Sequence, residues 1–202
     1  MVKVEHLYKK FGDHVLFNDF SMEINDGEFV VFRGVSGCGK TTLLNMIGAI
    51  EPVTSGKIVV DGYDITNQIN HRKYFAEKVG FLFQNYALVE NKSVEKNLKM
   101  ISEEYRTEIS IEQALKEVGM SGKEKTKVYQ LSGGEQQRIA LARLMLKKCS
   151  VILADEPTGS LDSGNAGVVI SLLKQLNKKG KTVIMVTHDN SILDNEMRII
   201  NL

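Results

Sequence analysis

The chain has no tryptophan, only two prolines and two cysteines, and almost no net charge: 26 Lys and Arg against 25 Asp and Glu leave a formal +1 over 202 residues. Each shortage excludes something. Two cysteines cannot build a disulfide scaffold, and one of them, Cys38, lies inside a glycine-rich loop, which fits a reducing compartment. With proline only at positions 52 and 157 there is no proline-rich linker or low-complexity tract. The near-neutral balance lacks the basic excess or stripe of a nucleic-acid binder, so no nucleic-acid partner is expected. The densest basic clusters, Lys147-Lys148 and Lys178-Lys179-Gly180-Lys181, fall where helices should end and cations suit the dipole, and read as solvated faces. No run approaches the ~18 apolar residues of a membrane span, and Met1-Val2-Lys3-Val4-Glu5-His6 has no apolar signal region. The expectation is a soluble, cytoplasmic, one-domain chain whose link to any membrane goes through a partner.

What is present is organised around Gly34-Val35-Ser36-Gly37-Cys38-Gly39-Lys40-Thr41. Phe29-Val30-Val31-Phe32 precedes it and Thr42-Leu43-Leu44-Asn45-Met46-Ile47 follows, so it reads as strand, loop and helix in the pattern G-x-x-x-x-G-K-[ST]. Four such positions match by accident in about one chain in a hundred of this length, and the flanking strand and helix lower that further. Gly34, Gly37 and Gly39 let the backbone bend so that the N–H groups of Ser36, Cys38 and their neighbours face an anion, and the helix start at Thr42 adds unpaired donors. Lys40 would reach the β- and γ-phosphates, and the Thr41 hydroxyl would sit on Mg²⁺.

Along the chain, Val2 to Tyr8, His14 to Ile24, Glu28 to Arg33 and Lys57 to Asp61 read as strands separated by turn residues, with mixed pairing expected. Val79 to Phe83 is a buried-type strand ending at Gln84. From Ser93 to about Lys125 the pattern turns helical, with Ser93 and Ser110 as caps and Ser110/Gln113 spaced as a capping box closing near Gly119. After it, Val151 to Ala154, a helix through Ala166 to Lys178, and Thr182 to Val186 alternate as in a parallel sheet covered on both faces. A single domain follows: 1–84 and 131–202 as catalytic core, 85–130 as a helical subdomain, with a second glycine-flanked helix starting at 132.

Val151-Ile152-Leu153-Ala154-Asp155-Glu156 ends an apolar strand in two carboxylates. Strand alternation would point them to opposite faces, giving Asp155 the Mg²⁺ and Glu156 the attacking water as base or orienter. His188, ending the next strand, could bond the γ-phosphate or that water, and the Gln84 amide could contact Mg²⁺ or water. Each would be mere polar punctuation without the phosphate loop; with it, ligands gather at such strand ends. Leu131-Ser132-Gly133-Gly134-Glu135 sets a Ser132/Glu135 capping box before Ile139-Ala140-Leu141-Ala142, a second anion site that an ordinary capped helix does not explain, because Gly133 and Gly134 expose backbone.

Together these motifs, in this order and approximate spacing, resemble the nucleotide-binding subunit of ATP-binding cassette (ABC) transporters over nearly the whole chain. The resemblance implies an α/β P-loop NTPase of the ABC ATPase fold, with a mixed N-terminal β-subdomain, a parallel core sheet and a helical insert. It implies that two copies sandwich ATP, so that Ser132, Gly133 and Gly134 act on the partner copy's nucleotide, Asp162 in Ser160-Leu161-Asp162 couples the two sites, and Phe11 stacks on adenine. The family more often has Tyr at that place, so a hydroxyl is lost. ATP and Mg²⁺ are the implied cofactors; a homodimer formed on ATP binding and a membrane-spanning permease on a separate chain are the implied partners. The segment 84–90, joining the subdomains, should relay nucleotide state to the permease.

Ala154 to Asp162 is similar to the lipoprotein-releasing and macrolide-efflux branch. Gln84-Asn85-Tyr86-Ala87-Leu88 and the compact length are similar to ATPases serving export of bacteriocins and other antimicrobial peptides. The expected function is therefore ATP hydrolysis powering peptide export or release from the membrane. A soluble ABC-type ATPase acting on nucleic acid or ribosomes is the alternative; such proteins usually carry two cassettes or a long coiled-coil insert, and neither occurs here. A small-molecule P-loop kinase would leave Ser132-Gly133-Gly134 and His188 without a job.

Overall fold

The computed structural model describes residues 1–67, 69, 71–159 and 161–202. Its strands are β1 (Val2–Phe11), β2 (His14–Ile24), β3 (Phe29–Arg33), β4 (Ser55–Val60), β5 (Tyr63–Asp64), β6 (Val79–Leu82), β7 (Val151–Asp155), β8 (Thr182–Val186) and β9 (Arg198–Asn201). The helices are α1 (Lys40–Ile47), α2 (His71–Glu77), α3 (Val94–Leu98), α4 (Ile111–Glu117), α5 (Gly133–Leu146) and α6 (Ser163–Lys178). The strands form two sheets. One is antiparallel, ordered β2-β1-β4-β5; the other is parallel, ordered β6-β7-β8-β3-β9. The N-terminal strands thus split: β3 leaves its sequence neighbours and pairs between β8 and β9, so the parallel component sits in the second sheet.

Period-two alternation in the parallel sheet explains why it has two cores. Val30, Phe32, Val151, Leu153, Ile184 and Val186 face α1 and the antiparallel sheet, while Val31, Ile152, Ala154, Val183 and Met185 face α4, α5 and α6. Central strands buried on both faces read as continuous apolar runs, as β7 and β8 do. Each fully buried Val, Leu or Ile contributes about 1.5–3 kcal/mol, enough to hold the strand ends, where the polar residues lie, in fixed register.

The expected caps form. Ser93 accepts from the Lys96 N–H, and Ser110 from the Gln113 N–H, with Gly119 left-handed just beyond α4; of the box expected at Ser110 and Gln113 only this serine half is made. The reciprocal box closes at Ser132 and Glu135, where each side chain bonds the other residue's backbone N–H. That bond holds the Glu135 carboxyl below its usual range.

One expectation fails: Lys147 is not part of a solvated face. Its Nζ donates to the carbonyls of Phe75 at 2.5 Å and Val79 at 2.8 Å, and burial lowers its pKa. The reason is local, since α2 ends against α5 and its last carbonyls need donors. Lys181 likewise donates to the Cys149 carbonyl at 2.6 Å, whereas Lys148, Lys178 and Lys179 are exposed. Among the described residues, no helix is long and apolar enough to cross a membrane.

Candidate functional site

The loop between β3 and α1 is packed from within. A side chain at Gly34 would meet the Cys38 Sγ at 2.6 Å and the Leu202 carbonyl at 2.7 Å, so only glycine fits. Gly39, left-handed at φ 100°, is the N-cap of α1, and a Cβ there would come 2.8 Å from the Phe17 ring. Lys40 is buried, with Nζ donating to the carbonyls of Gly34 at 3.0 Å and Val35 at 2.9 Å. Ser36 and Gly37 lie exposed at the loop's mouth, while Cys38 and Thr42 are half-buried. A loop already closed around an ammonium, with a helix start beside it, suits a polyphosphate.

Thr41 and Asp155 face each other, Oγ1 donating to Oδ1 at 3.1 Å. Burial pushes the Asp155 carboxyl up, against the lowering effect of that bond. A hydroxyl and a carboxylate beside a phosphate cradle are the hard oxygen donors that Mg²⁺ takes, so the residues present fit Mg·ATP. Glu156 corrects the alternation argument. It lies beyond β7 in a left-handed conformation, φ 44°, with its N–H bonded to the Val186 carbonyl, so a backbone turn rather than strand pleat separates it from Asp155. Such a conformation costs a non-glycine residue on the order of 1–3 kcal/mol and is retained where surroundings enforce it. Glu156 Oε1 is buried without a hydrogen bond, 3.4 Å from His188 Nε2, while the His188 N–H approaches Oε2 at 3.4 Å. Glu156 thus keeps an acceptor beside the His188 imidazole, the chemistry a general base needs.

Gln84 is exposed just past β6 and lines an open cavity of about 440 Å³ with Phe83, Asn85 and Asp155. Phe11 is half-exposed, with the Lys9 ammonium 4.4 Å above its ring. The chain therefore brings Gln84, Asp155, Thr41, Lys40, Glu156 and His188 to the ends of β3, β6, β7 and β8. Ser132 is exposed and bonded within its own capping box.

Gly133 and Gly134 have a packing reason that the sequence reading did not foresee. A Cβ on Gly133 would lie 2.8 Å from the Tyr86 hydroxyl, and one on Gly134 would lie 2.9–3.1 Å from the side chain of Asn165. Asp162 is the N-cap of α6, accepting from the Asn165 N–H at 2.9 Å and its amide at 2.6 Å; those bonds hold its carboxyl below the usual range. Ser160, named with it above, lies outside the described residues. Sequence reasoning also missed Gln137, whose amide donates to the Pro157 carbonyl at 2.7 Å, and Arg143, which donates to the carbonyls of Tyr86 and Ala87. For Arg143 the signal was available, a lone cation in the apolar run Leu141 to Leu146; Gln137 sits between Gln136 and Arg138 and carries none. A second cavity, about 970 Å³, opens between α2 and α5 and is lined by Phe75, Phe81, Phe83, Met100, Tyr105 and Arg143.

Comparison with known proteins agrees with this geometry. Residues 17–159 match the family model described as ABC transporter. The chain is 38% identical to a macrolide export ATP-binding/permease protein of Mannheimia succiniciproducens over its whole length, but spans only 33% of that relative. It is 36% identical to an uncharacterized ABC transporter ATP-binding protein of Methanocaldococcus jannaschii, with 100% of this chain and 95% of the relative covered. A dimeric ATP-binding cassette in a post-hydrolysis state with ADP and Pi superposes with a TM-score of 0.85 at 35% identity, covering 100% of this chain and 94% of that one.

Proposed function

The chain belongs to the ABC transporter family, whose ATP-hydrolysing cassette it forms, and we propose that it powers export, or release from the membrane, of a peptide such as a bacteriocin. The phosphate loop and Lys40 hold the phosphates, Thr41, Asp155 and Gln84 supply oxygens to Mg²⁺, and Phe11 stacks on adenine. Glu156 holds the attacking water and His188 contacts the γ-phosphate. Mg²⁺, when bound, neutralises charge across the phosphate oxygens. Ser132, Gly133 and Gly134 of a second copy close the site, with Asp162 linking the two sites. Phosphoryl transfer asks for positioning and charge stabilisation, and two helix starts with Lys40 provide both.

The observation that carries the reading is the Thr41–Asp155 contact beside the buried, unbonded Glu156 oxygen. The core is 1–84 with 131–202, and 85–130 is the helical subdomain, its 84–90 segment relaying nucleotide state to a permease at the cytoplasmic membrane face. Support for export comes from the relative named for macrolide export; the peptide cargo rests on the similarity of residues 84–88 to peptide exporters. The test is pull-down of the tagged chain from detergent-solubilised membranes with ATP hydrolysis measured on the eluate. A copurifying membrane protein whose peptide substrate stimulates hydrolysis supports the reading; nucleic-acid-stimulated hydrolysis without any membrane protein overturns it.

A further inference from the structure

We infer that Arg143 is a positioning residue for ATP hydrolysis, gripping the backbone of the loop that carries Gln84 and fixing that loop to the helix that begins at Ser132. The inference rests on the site reading above, in which Gln84 serves the hydrolytic step.

Arg143 interrupts the apolar run Leu141-Ala142-Arg143-Leu144-Met145-Leu146, whose other members are all buried. A guanidinium offers five donors in a planar fork and is normally matched to a carboxylate when enclosed. Here its partners are backbone: Nη1 donates to the Ala87 carbonyl at 2.5 Å and Nη2 to the Tyr86 carbonyl at 3.0 Å. Among the described residues no carboxylate forms an ion pair with it. Two fork donors on two successive carbonyls hold a backbone shape, not a charge.

That shape needs holding. Tyr86 and Ala87 are consecutive non-glycine residues in left-handed conformation, at φ 61° and 47°. L-residues visit this region singly and at a cost, so a pair of them persists only under outside constraint. Gln84 lies two residues before Tyr86, on the same turn, whose Tyr86 N–H bonds the Phe83 carbonyl. The second tie is Tyr86 itself, whose hydroxyl lies against Gly133, 2.8 Å from where a Cβ would stand. The loop is therefore fastened to α5 at both ends of the helix: by Tyr86 at its first residue and by Arg143 near its last turn. Freed from Arg143, the two strained residues relax and carry Gln84 away from the Asp155 side of the cavity.

Steady-state hydrolysis by the full chain, as a function of Mg·ATP concentration, tests this with Arg143→Met, Arg143→Lys, Arg143→Met/Ala87→Gly and Gln84→Ala. The expected result is a fall in kcat of about tenfold for Arg143→Met with KM within about twofold, because the phosphate loop is untouched. Ala87→Gly in that background restores at least about a third of kcat, since glycine keeps φ 47° without the guanidinium. An unchanged kcat, a loss carried by KM, or a loss that Ala87→Gly leaves in place overturns the inference. Should Arg143→Met fail to fold, Arg143→Lys, with one donor site in place of the fork, is read by the same kcat and KM criteria and the same rescue. If Gln84→Ala keeps wild-type kcat, the site reading falls and this inference with it. If Gln84→Ala lowers kcat and Arg143→Met does not, only this inference falls.

Discussion

The Thr41 hydroxyl and the Asp155 carboxylate meet at 3.1 Å although 114 positions separate them in the chain. One is at the start of α1 and the other at the end of β7, so the contact joins the phosphate loop to the strand end that carries the acidic pair. It does not repay the burial of Asp155, whose carboxyl is pushed above its ordinary range by desolvation. A carboxyl raised in this way binds more protons folded than unfolded. It favours folding at low pH, and that benefit is lost as pH rises through its folded pKa.

Asp155→Asn should therefore stabilise the nucleotide-free chain near neutral pH, by about 1 kcal/mol, the scale on which functional sites trade stability for activity. The gain should vanish below the carboxylate range, where Asp155 is protonated in both states. Mg²⁺-dependent hydrolysis should fall by about a hundredfold. Urea unfolding at neutral and acid pH, alongside phosphate release, checks all three; destabilisation at neutral pH would contradict the electrostatic account.

Gly134→Ala should cost stability through packing alone. Its Cβ would press on the Asn165 side chain, which is held by Asp162 and by Arg138 and so has little room to swing. Overpacking of this kind costs about 1–3 kcal/mol, and for a chain of this length each kcal/mol lowers Tm by about 2–4 °C. Removing the obstacle with Asn165→Ala should make the pair non-additive, the double variant losing less than the sum of the singles. Thermal unfolding of the four chains measures it; additive losses would place the role of Gly134 elsewhere.

The phosphate loop, the caps at Ser93, Ser110 and Ser132, and the apolar strands were legible because each is written in a few adjacent residues. The departure of β3 from its neighbours was not. Phe29 to Arg33 reads like the strands around it, and its choice of partners is a matter of which distant runs, Thr182 to Val186 and Arg198 to Asn201, lie beside it. Glu156 read as the last strand residue because a left-handed turn leaves no mark on a glutamate. Lys147 read as surface charge because its partners are backbone carbonyls on remote segments, and a carbonyl has no sequence signature. Gly133 and Gly134 read as exposed backbone, but Gly134 is buried against Asn165 and Gly133 half-buried against Tyr86, contacts with remote segments that two adjacent glycines do not announce.

Glu156→Gln should remove the base while keeping shape and volume. The buried Oε1 lacks a hydrogen bond and lies 3.4 Å from His188, so the neutral amide fits the same space. Hydrolysis should fall by about a hundredfold or more while ATP is still bound. Single-turnover phosphate release with labelled ATP, beside equilibrium nucleotide binding, separates the two. Near-wild-type turnover would take the base assignment away from Glu156.

The sandwich of two copies makes the sharpest prediction, because it assigns the halves of one site to different chains. Lys40→Ala should disable the phosphate loop and Ser132→Arg should place a bulky cation where the second copy's nucleotide would lie, so each variant alone should be inactive. Mixing them changes the combinatorics. A mixed dimer holds one site with both lesions and one with neither, the intact Lys40 of one copy facing the intact Ser132 of the other. With random pairing half of the dimers are mixed, and each has one sound site of two, so activity should return to about a quarter of wild type. The recovered rate should fall steeply on dilution as the dimers dissociate. A site completed within one chain would leave the mixture as inactive as its parts at every concentration.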